Sequence, residues 1–70
     1  MKVSINGEVR ELPAGACVRD AALALGIEPA RRGVAVAVEG AVVPRSEHES
    51  RALREGQRVE VVNAIGGGAR

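Results

Sequence analysis

The sequence predicts an α+β domain in which a mixed sheet of four to five strands carries one main helix on one face. Three observations predict it. The dipeptides Asn6-Gly7, Glu39-Gly40 and Glu55-Gly56 separate short apolar runs at strand-like spacing. After Cys17, apolar residues recur at helical intervals over a stretch ended by a glycine. The chain has 70 residues, enough for one small core and no second domain.

Taking the elements in order, Val3 and Ile5 lie on one side of a first strand, and Asn6-Gly7 accommodates the positive φ angles of a two-residue type I′ turn. The return strand carries Val9 and Leu12, whose spacing breaks the two-residue alternation. A bulge or a strand end near Arg10 or Glu11 reconciles them. In "CVRDAALALGIEP", Val18, Ala21, Ala22 and Leu25 fall at i, i+3, i+4 and i+7, one face of a helix. Asp20 suits its first turn, Gly26 its left-handed end, Ile27 a cap contact folded back on it, and Pro29 stops it. Val34 to Val38 form a strand covered on both faces, or on one face by small alanines. Glu39-Gly40 then turns the chain into a short return strand, Ala41 to Val43, which Pro44 ends. "SEHESRALREGQ" reads as a polar loop with at most one helical turn, and "RVEVVNAI" as the last strand, with Val59 and Val61 alternating about Glu60.

Composition narrows the functions available. Phe, Tyr and Trp are absent although 46% of residues are apolar, so the core is aliphatic and no aromatic platform exists for stacking bases. The formal charge is +1, from 10 basic and 9 acidic residues spread along the chain. Nucleic acid is therefore not expected as a partner, since phosphate binding asks for a basic patch. Nor is a membrane, because no apolar stretch is long enough to span one or to serve as a signal. Cys17 is the single cysteine, and the expected compartment is the cytoplasm.

No catalytic or metal site is expected within the chain. Cys17 stands where Ser or Thr would cap the helix; a thiol there can be activated, yet it lacks a histidine nearby and reads as a half-buried filler. His48 lies between Glu47 and Glu49, but sequence neighbours do not converge on one ion, and a solvated loop is expected. Arg31, Arg32 and Arg45 read as ordinary surface or as docking charges for an acidic partner.

Two hairpins separated by a helix, with the last strand returning beside the first, make the β-grasp arrangement of ubiquitin-like proteins. A ferredoxin-like unit would need a second long helix, which "SEHESRAL" is too polar to supply. The domain is then residues 1–65, followed by a glycine tail, 66–70. Three glycines in succession lose more backbone freedom on ordering than any other residues. Lacking Cβ atoms, Gly66, Gly67 and Gly68 suit a channel too narrow for side chains, and three residues reach roughly 10 Å.

With "NGE", "LPAG", "GVAVAVEGAVVPRSE" and "GQRVEVVNAIGGG", the chain resembles the ThiS-type sulfur carriers of the ThiS/MoaD family from Met1 to Gly68. The middle segment resembles the thiamin branch more than the molybdopterin branch. The resemblance implies that the carrier binds no cofactor. Instead, the Gly68 carboxylate is adenylated with ATP by a ubiquitin-activating-like adenylyltransferase. It then becomes a thiocarboxylate with sulfur from a cysteine desulfurase, and the sulfur passes to thiazole synthase or another accepting enzyme. The carrier is thus a protein cosubstrate and not itself an enzyme. Alternatives are a carrier for cysteine, tRNA thiolation or a secondary metabolite, or a ubiquitin-like protein modifier.

Three positions depart from the family pattern. Ala69 and Arg70 cover the glycine that must end the chain; they are removed by a peptidase, such as a JAMM-type metalloprotease, are a cloning remnant, or mark lost chemistry. Glu39-Gly40 stands where Asn-Gly is usual, and His48 where an aromatic residue is common. The partner surface is expected on the open sheet face near the last strand, at Val62, Ala64 and Ile65.

Overall fold

The computed structural model describes residues 1–63. Within them the chain forms β1 (Lys2–Ile5), β2 (Glu8–Glu11), α1 (Val18–Ala24), β3 (Val34–Val38), β4 (Ala41–Val43), a 3₁₀ turn at Arg45–Glu47, and β5 (Arg58–Asn63). The five strands lie in the order β2-β1-β5-β3-β4. β5 runs parallel to β1 and antiparallel to β3, so the sheet is mixed. This is the β-grasp topology, and it places the last strand at the centre of the sheet.

The first hairpin follows from its turn. Asn6 and Gly7 take φ of 52° and 87°, the pair of positive values that matches the right-handed twist of the flanking strands. Pairing from Ile5↔Glu8 to Lys2↔Glu11 proceeds without an inserted residue. The uneven spacing of Val9 and Leu12 is therefore a strand end and not a bulge: Val9 faces solvent, while Leu12 lies beyond β2, buried, its N–H donating to the Met1 carbonyl at 2.8 Å. Glu39 and Gly40 repeat the turn with φ of 51° and 85°.

The α1 helix is 7 residues long, too short to persist without tertiary support. It is held at both ends and along one face. The Cys17 N–H donates to Asp20 Oδ2 at 2.8 Å. The loop after β4 supplies carbonyls to two further helix donors, Val18 N–H to Arg51 at 3.0 Å and Arg19 N–H to His48 at 2.9 Å. At the other end, Gly26 N–H bonds to Leu23 and Ile27 N–H to Ala22, at 2.9 and 3.1 Å, the paired bonds of a Schellman cap. Val18, Ala21 and Ala22 are buried; two alanines in that face let the helix sit close over the sheet. Leu25 is only partly buried and ends the helix as its C-cap.

Beneath the helix the sheet presents Val3, Ile5, Val34, Val36, Val38, Val43, Val59 and Val61, all buried. Leu12 and Leu53 close the core at its margins. Ala35 faces outward and Ala37 is half-buried, so β3 is covered on one side only.

The loop after β4 corrects one expectation and refines another. His48 is not solvated: it is 5% exposed, and its Nε2 lies 3.1 Å from the Val43 carbonyl. Because a carbonyl only accepts, Nε2 is the donor there. A polar neighbourhood hid this, since Glu47 and Glu49 point outward while the residue between them turns in. Arg45 is exposed, as expected of a surface residue, but its side chain is also tied down. Its guanidinium bonds the carbonyls of Ala30 and Arg31, tying the loop before β3 to the 3₁₀ turn.

Candidate functional site

Residues 58–63 form the strand from which the chain proceeds to the glycines, so the site is built around β5. It is flanked by a strand on each side, β1 and β3. Both type I′ turns also reach it with a side chain. At its start, the Glu39 carboxylate accepts the Arg58 N–H while the Glu39 N–H donates to the Arg58 carbonyl at 2.8 Å. Further along, Asn6 Oδ1 accepts the Val61 N–H at 2.8 Å and Asn6 Nδ2 donates to the Val61 carbonyl at 3.2 Å. Glu39, standing where Asn-Gly is usual, thus braces the strand with its carboxylate.

The strand's alternation sends Val59 and Val61 into the core and Glu60 and Val62 outward. Val62 is 57% exposed. It sits opposite Ala35, while Ala37 sits opposite both Glu60 and Val42. Val42 is 72% exposed. Val62, Ala35, Ala37 and Val42 thereby form an apolar strip across β5, β3 and β4, interrupted by the Glu60 carboxylate.

Of the residues expected to make the site, Val62 is where the sequence puts it. Ala64, Ile65, Gly66, Gly67, Gly68, Ala69 and Arg70 lie outside the described residues. Val42 was missed, although the alternation of a strand with Val43 turned inward would have exposed it.

Among the described residues the other chemistry-bearing groups do not assemble a reaction centre. Cys17 is half-buried at the helix N-cap. Among the described residues no three of His, Cys, Asp and Glu are grouped to hold a metal ion. A cleft of about 440 Å³ beside the 3₁₀ turn is lined by Arg19, Glu28, Arg45, His48 and Glu49, but its charges offset one another: Arg19 lies 3.6 Å from Glu28 and 3.8 Å from Glu49. Glu11 stands apart at the sheet edge. The hydrogen bond from the N-terminal ammonium, at 2.8 Å, holds its carboxyl below the usual range, with the charges of that ammonium and of Lys2 adding to the effect. No helix is long and apolar enough to cross a membrane among the described residues.

Comparison with known proteins decides the family. The family model of ThiS matches residues 3–68. The chain belongs to the ThiS family. Proteins of the ThiS family are small sulfur carriers. A crystal structure of the thiamine biosynthesis protein ThiS from Geobacter metallireducens superposes with a TM-score of 0.75 at 26% identity, over 97% of this chain and 100% of that one. Among curated relatives, a thiazole synthase of Magnetococcus marinus is 38% identical over 97% of this chain. Another, from Paramagnetospirillum magneticum, is 38% identical over 99%. The chain spans about a fifth of the length of these two relatives, 20% and 21%, so its likeness is to a ThiS-like portion of longer proteins.

Proposed function

We propose that this ThiS-family chain carries sulfur as a thiocarboxylate at Gly68 and delivers it for thiazole formation in thiamin biosynthesis. The observation that carries the reading is the span of the family match. It runs through the central strand and the three glycines and stops at Gly68, leaving Ala69 and Arg70 outside. Support for the acceptor comes from the two thiazole synthases, in which a segment like this chain shares a polypeptide with the enzyme.

The chemistry follows from what a carboxylate lacks. It is a poor electrophile until one oxygen becomes part of a good leaving group. A peptidase first removes Ala69 and Arg70. A ubiquitin-activating-like adenylyltransferase then joins the Gly68 carboxylate to the α-phosphate of ATP, and pyrophosphate departs. The terminal sulfur of a persulfide, charged by a cysteine desulfurase, attacks the acyl carbon and AMP leaves. A thiol cleaves the resulting disulfide, and the thiocarboxylate remains. ATP belongs to the partner; the carrier contributes the acyl carbon and a surface to grip. The strip of Val62 with Val42 is the surface we assign to the adenylyltransferase, with Ala64 and Ile65, next in sequence, as further contacts, and the cytoplasm is the compartment these steps require.

Intact mass of the protein isolated from its native cells tests the reading. A chain ending at Gly68 with a fraction about 16 Da heavier, the difference between sulfur and oxygen, supports it. Retention of Ala69 and Arg70 under thiamin starvation would defeat it, and an isopeptide to lysine would make the chain a protein modifier.

A further inference from the structure

We infer that the Asn6 side chain is a positioning residue for the carrier's reactive end: it substitutes for a strand beside Val61 and fixes the line along which the chain leaves the sheet toward Gly68. The inference rests on the carrier function proposed above and goes beyond it to a residue far from the glycines in sequence.

The sheet itself creates the need. β1 pairs with β5 only at Ser4↔Arg58 and Ile5↔Val59, and the chain then turns away through Asn6-Gly7. Beyond Val59 the β1 side of the strand has no backbone neighbour from β1. A carboxamide carries the same donor and acceptor as a peptide unit. That of Asn6 meets both the N–H and the carbonyl of Val61, while the Asn6 N–H donates to the Val59 carbonyl at 2.9 Å. The side chain thereby adds one rung to a ladder whose backbone has run out. Two bonds from one planar group hold Val61 in orientation as well as in place.

The turn alone does not ask for asparagine. At φ of 52° glycine fits at least as well, but it would leave Val61 unbraced. Asparagine tolerates the left-handed backbone and supplies the carboxamide. Glu39, at the equivalent position of the other turn, braces Arg58. The strand is therefore held at its start from the β3 side and near its exit from the β1 side.

Direction at Val61 matters because of leverage. Four extended residues, 62–65, reach at most about 13 Å, so a swing of ~10° at Val61 moves the point where the glycines begin by roughly 2 Å. Adenylation needs the carboxylate within near-attack distance of a phosphorus atom. Asn6 touches no reacting atom. It acts before capture, by restricting the directions that the partner must otherwise freeze out on binding, and such a cost appears in KM and not in kcat.

The test compares carriers ending at Gly68 as wild type, Asn6→Gly, Asn6→Asp and Glu39→Gly. Asn6→Gly preserves the positive-φ turn and deletes both side-chain bonds; Glu39→Gly is the matched control at the other turn. Amide hydrogen exchange is read at Val61, and adenylation by the cognate adenylyltransferase is read as pyrophosphate exchange. In Asn6→Gly, exchange at Val61 should quicken about tenfold, and KM for the carrier should rise about three- to tenfold with kcat within about twofold. Asn6→Asp keeps the acceptor for the Val61 N–H and should recover part of both effects. Glu39→Gly, which loosens only the start of the strand at Arg58, should raise KM by less than Asn6→Gly does. Unaltered exchange at Val61 in Asn6→Gly overturns the inference, and so does faster exchange with an unaltered KM. A wild-type carrier that is never adenylated would instead sink the functional reading, a failure visible without any variant; exchange at Val61, which needs no partner, would still report the brace.

Discussion

Replacing His48 tests how the loop after β4 supports the domain. The imidazole is 5% exposed and donates from Nε2 to the Val43 carbonyl, and its own backbone carbonyl receives the Arg19 N–H at the start of α1. His48→Ala removes that donor, which costs about 1–3 kcal/mol where the acceptor is buried. It also withdraws a ring from the edge of the core, a further ~1–2 kcal/mol at about 25 cal/mol per Å². The sum, roughly 2–5 kcal/mol, is large against the roughly 4–10 kcal/mol expected for a domain of this size. The melting temperature should fall by about 8–40 °C, given 4–8 °C per kcal/mol. With no Phe, Tyr or Trp in the chain, intrinsic fluorescence offers no signal, so urea unfolding followed by far-UV circular dichroism is the assay. His48→Phe, which keeps volume and loses the donor, should fall between wild type and His48→Ala. A loss below about 0.5 kcal/mol for His48→Ala would refute the buried hydrogen bond and return the residue to solvent.

Three other perturbations probe separate elements. Gly26→Ala should cost about 1–2 kcal/mol in the same unfolding assay, because the position has φ of 77° while no atom lies within 4 Å of the added Cβ; an unchanged stability would deny the left-handed cap. Val62→Asp and Val42→Asp, at exposed positions, should leave stability within about 0.5 kcal/mol yet weaken capture by the adenylyltransferase, read as a raised KM; an unchanged KM in both would move the partner surface elsewhere. Glu11 has a folded-state pKa below its ordinary value, chiefly through the bond from the N-terminal ammonium, so the unfolded chain binds its proton at higher pH. Its contribution is complete above the ordinary carboxylate range and is lost as pH falls through the lower, folded value. Glu11→Gln should flatten that acid limb of the melting curve, and an unchanged limb would show that the exposed pair does nothing.

Much of the fold was legible because its signals are local. Asn6-Gly7 and Glu39-Gly40 demand positive φ, and Gly26 with Ile27 closes a helix in a way that sequence spacing alone marks. Two hairpins separated by a helix already imply the last strand returning beside the first, and the resemblance of the long motifs to ThiS-type carriers points to the family. What stayed hidden depends on contacts between distant segments. His48 looks solvated because its neighbours are glutamates, and only the packing of the loop under β4 turns its ring inward. Arg45 looks like a free charge because its carbonyl acceptors, Ala30 and Arg31, belong to another loop. Asn6 was read for its backbone, whereas its carboxamide works on Val61, far along the chain.

A carrier whose reactive group is its own terminus must solve a mechanical problem that an enzyme does not face. On the function proposed above that group is Gly68, and the described domain can act on it only through β5, the strand that leads toward it. An edge strand would leave one whole side of that exit unsupported and free to pair with other chains. Here the edges are β2 and β4, and the exit belongs to β5 at the centre. Its core side is fixed by Val59 and Val61 under the helix, and its two margins by Glu39 and Asn6. Its open side shows Val62 beside Ala35. The strand that leads to the glycines is thus held on three sides, and the fourth, bearing Val62, is the one we propose for the partner. A consequence follows for engineering: substitutions that loosen β2 or β4 without reaching β5 should lower stability more than they lower the rate of adenylation, whereas those that loosen β5 should do both.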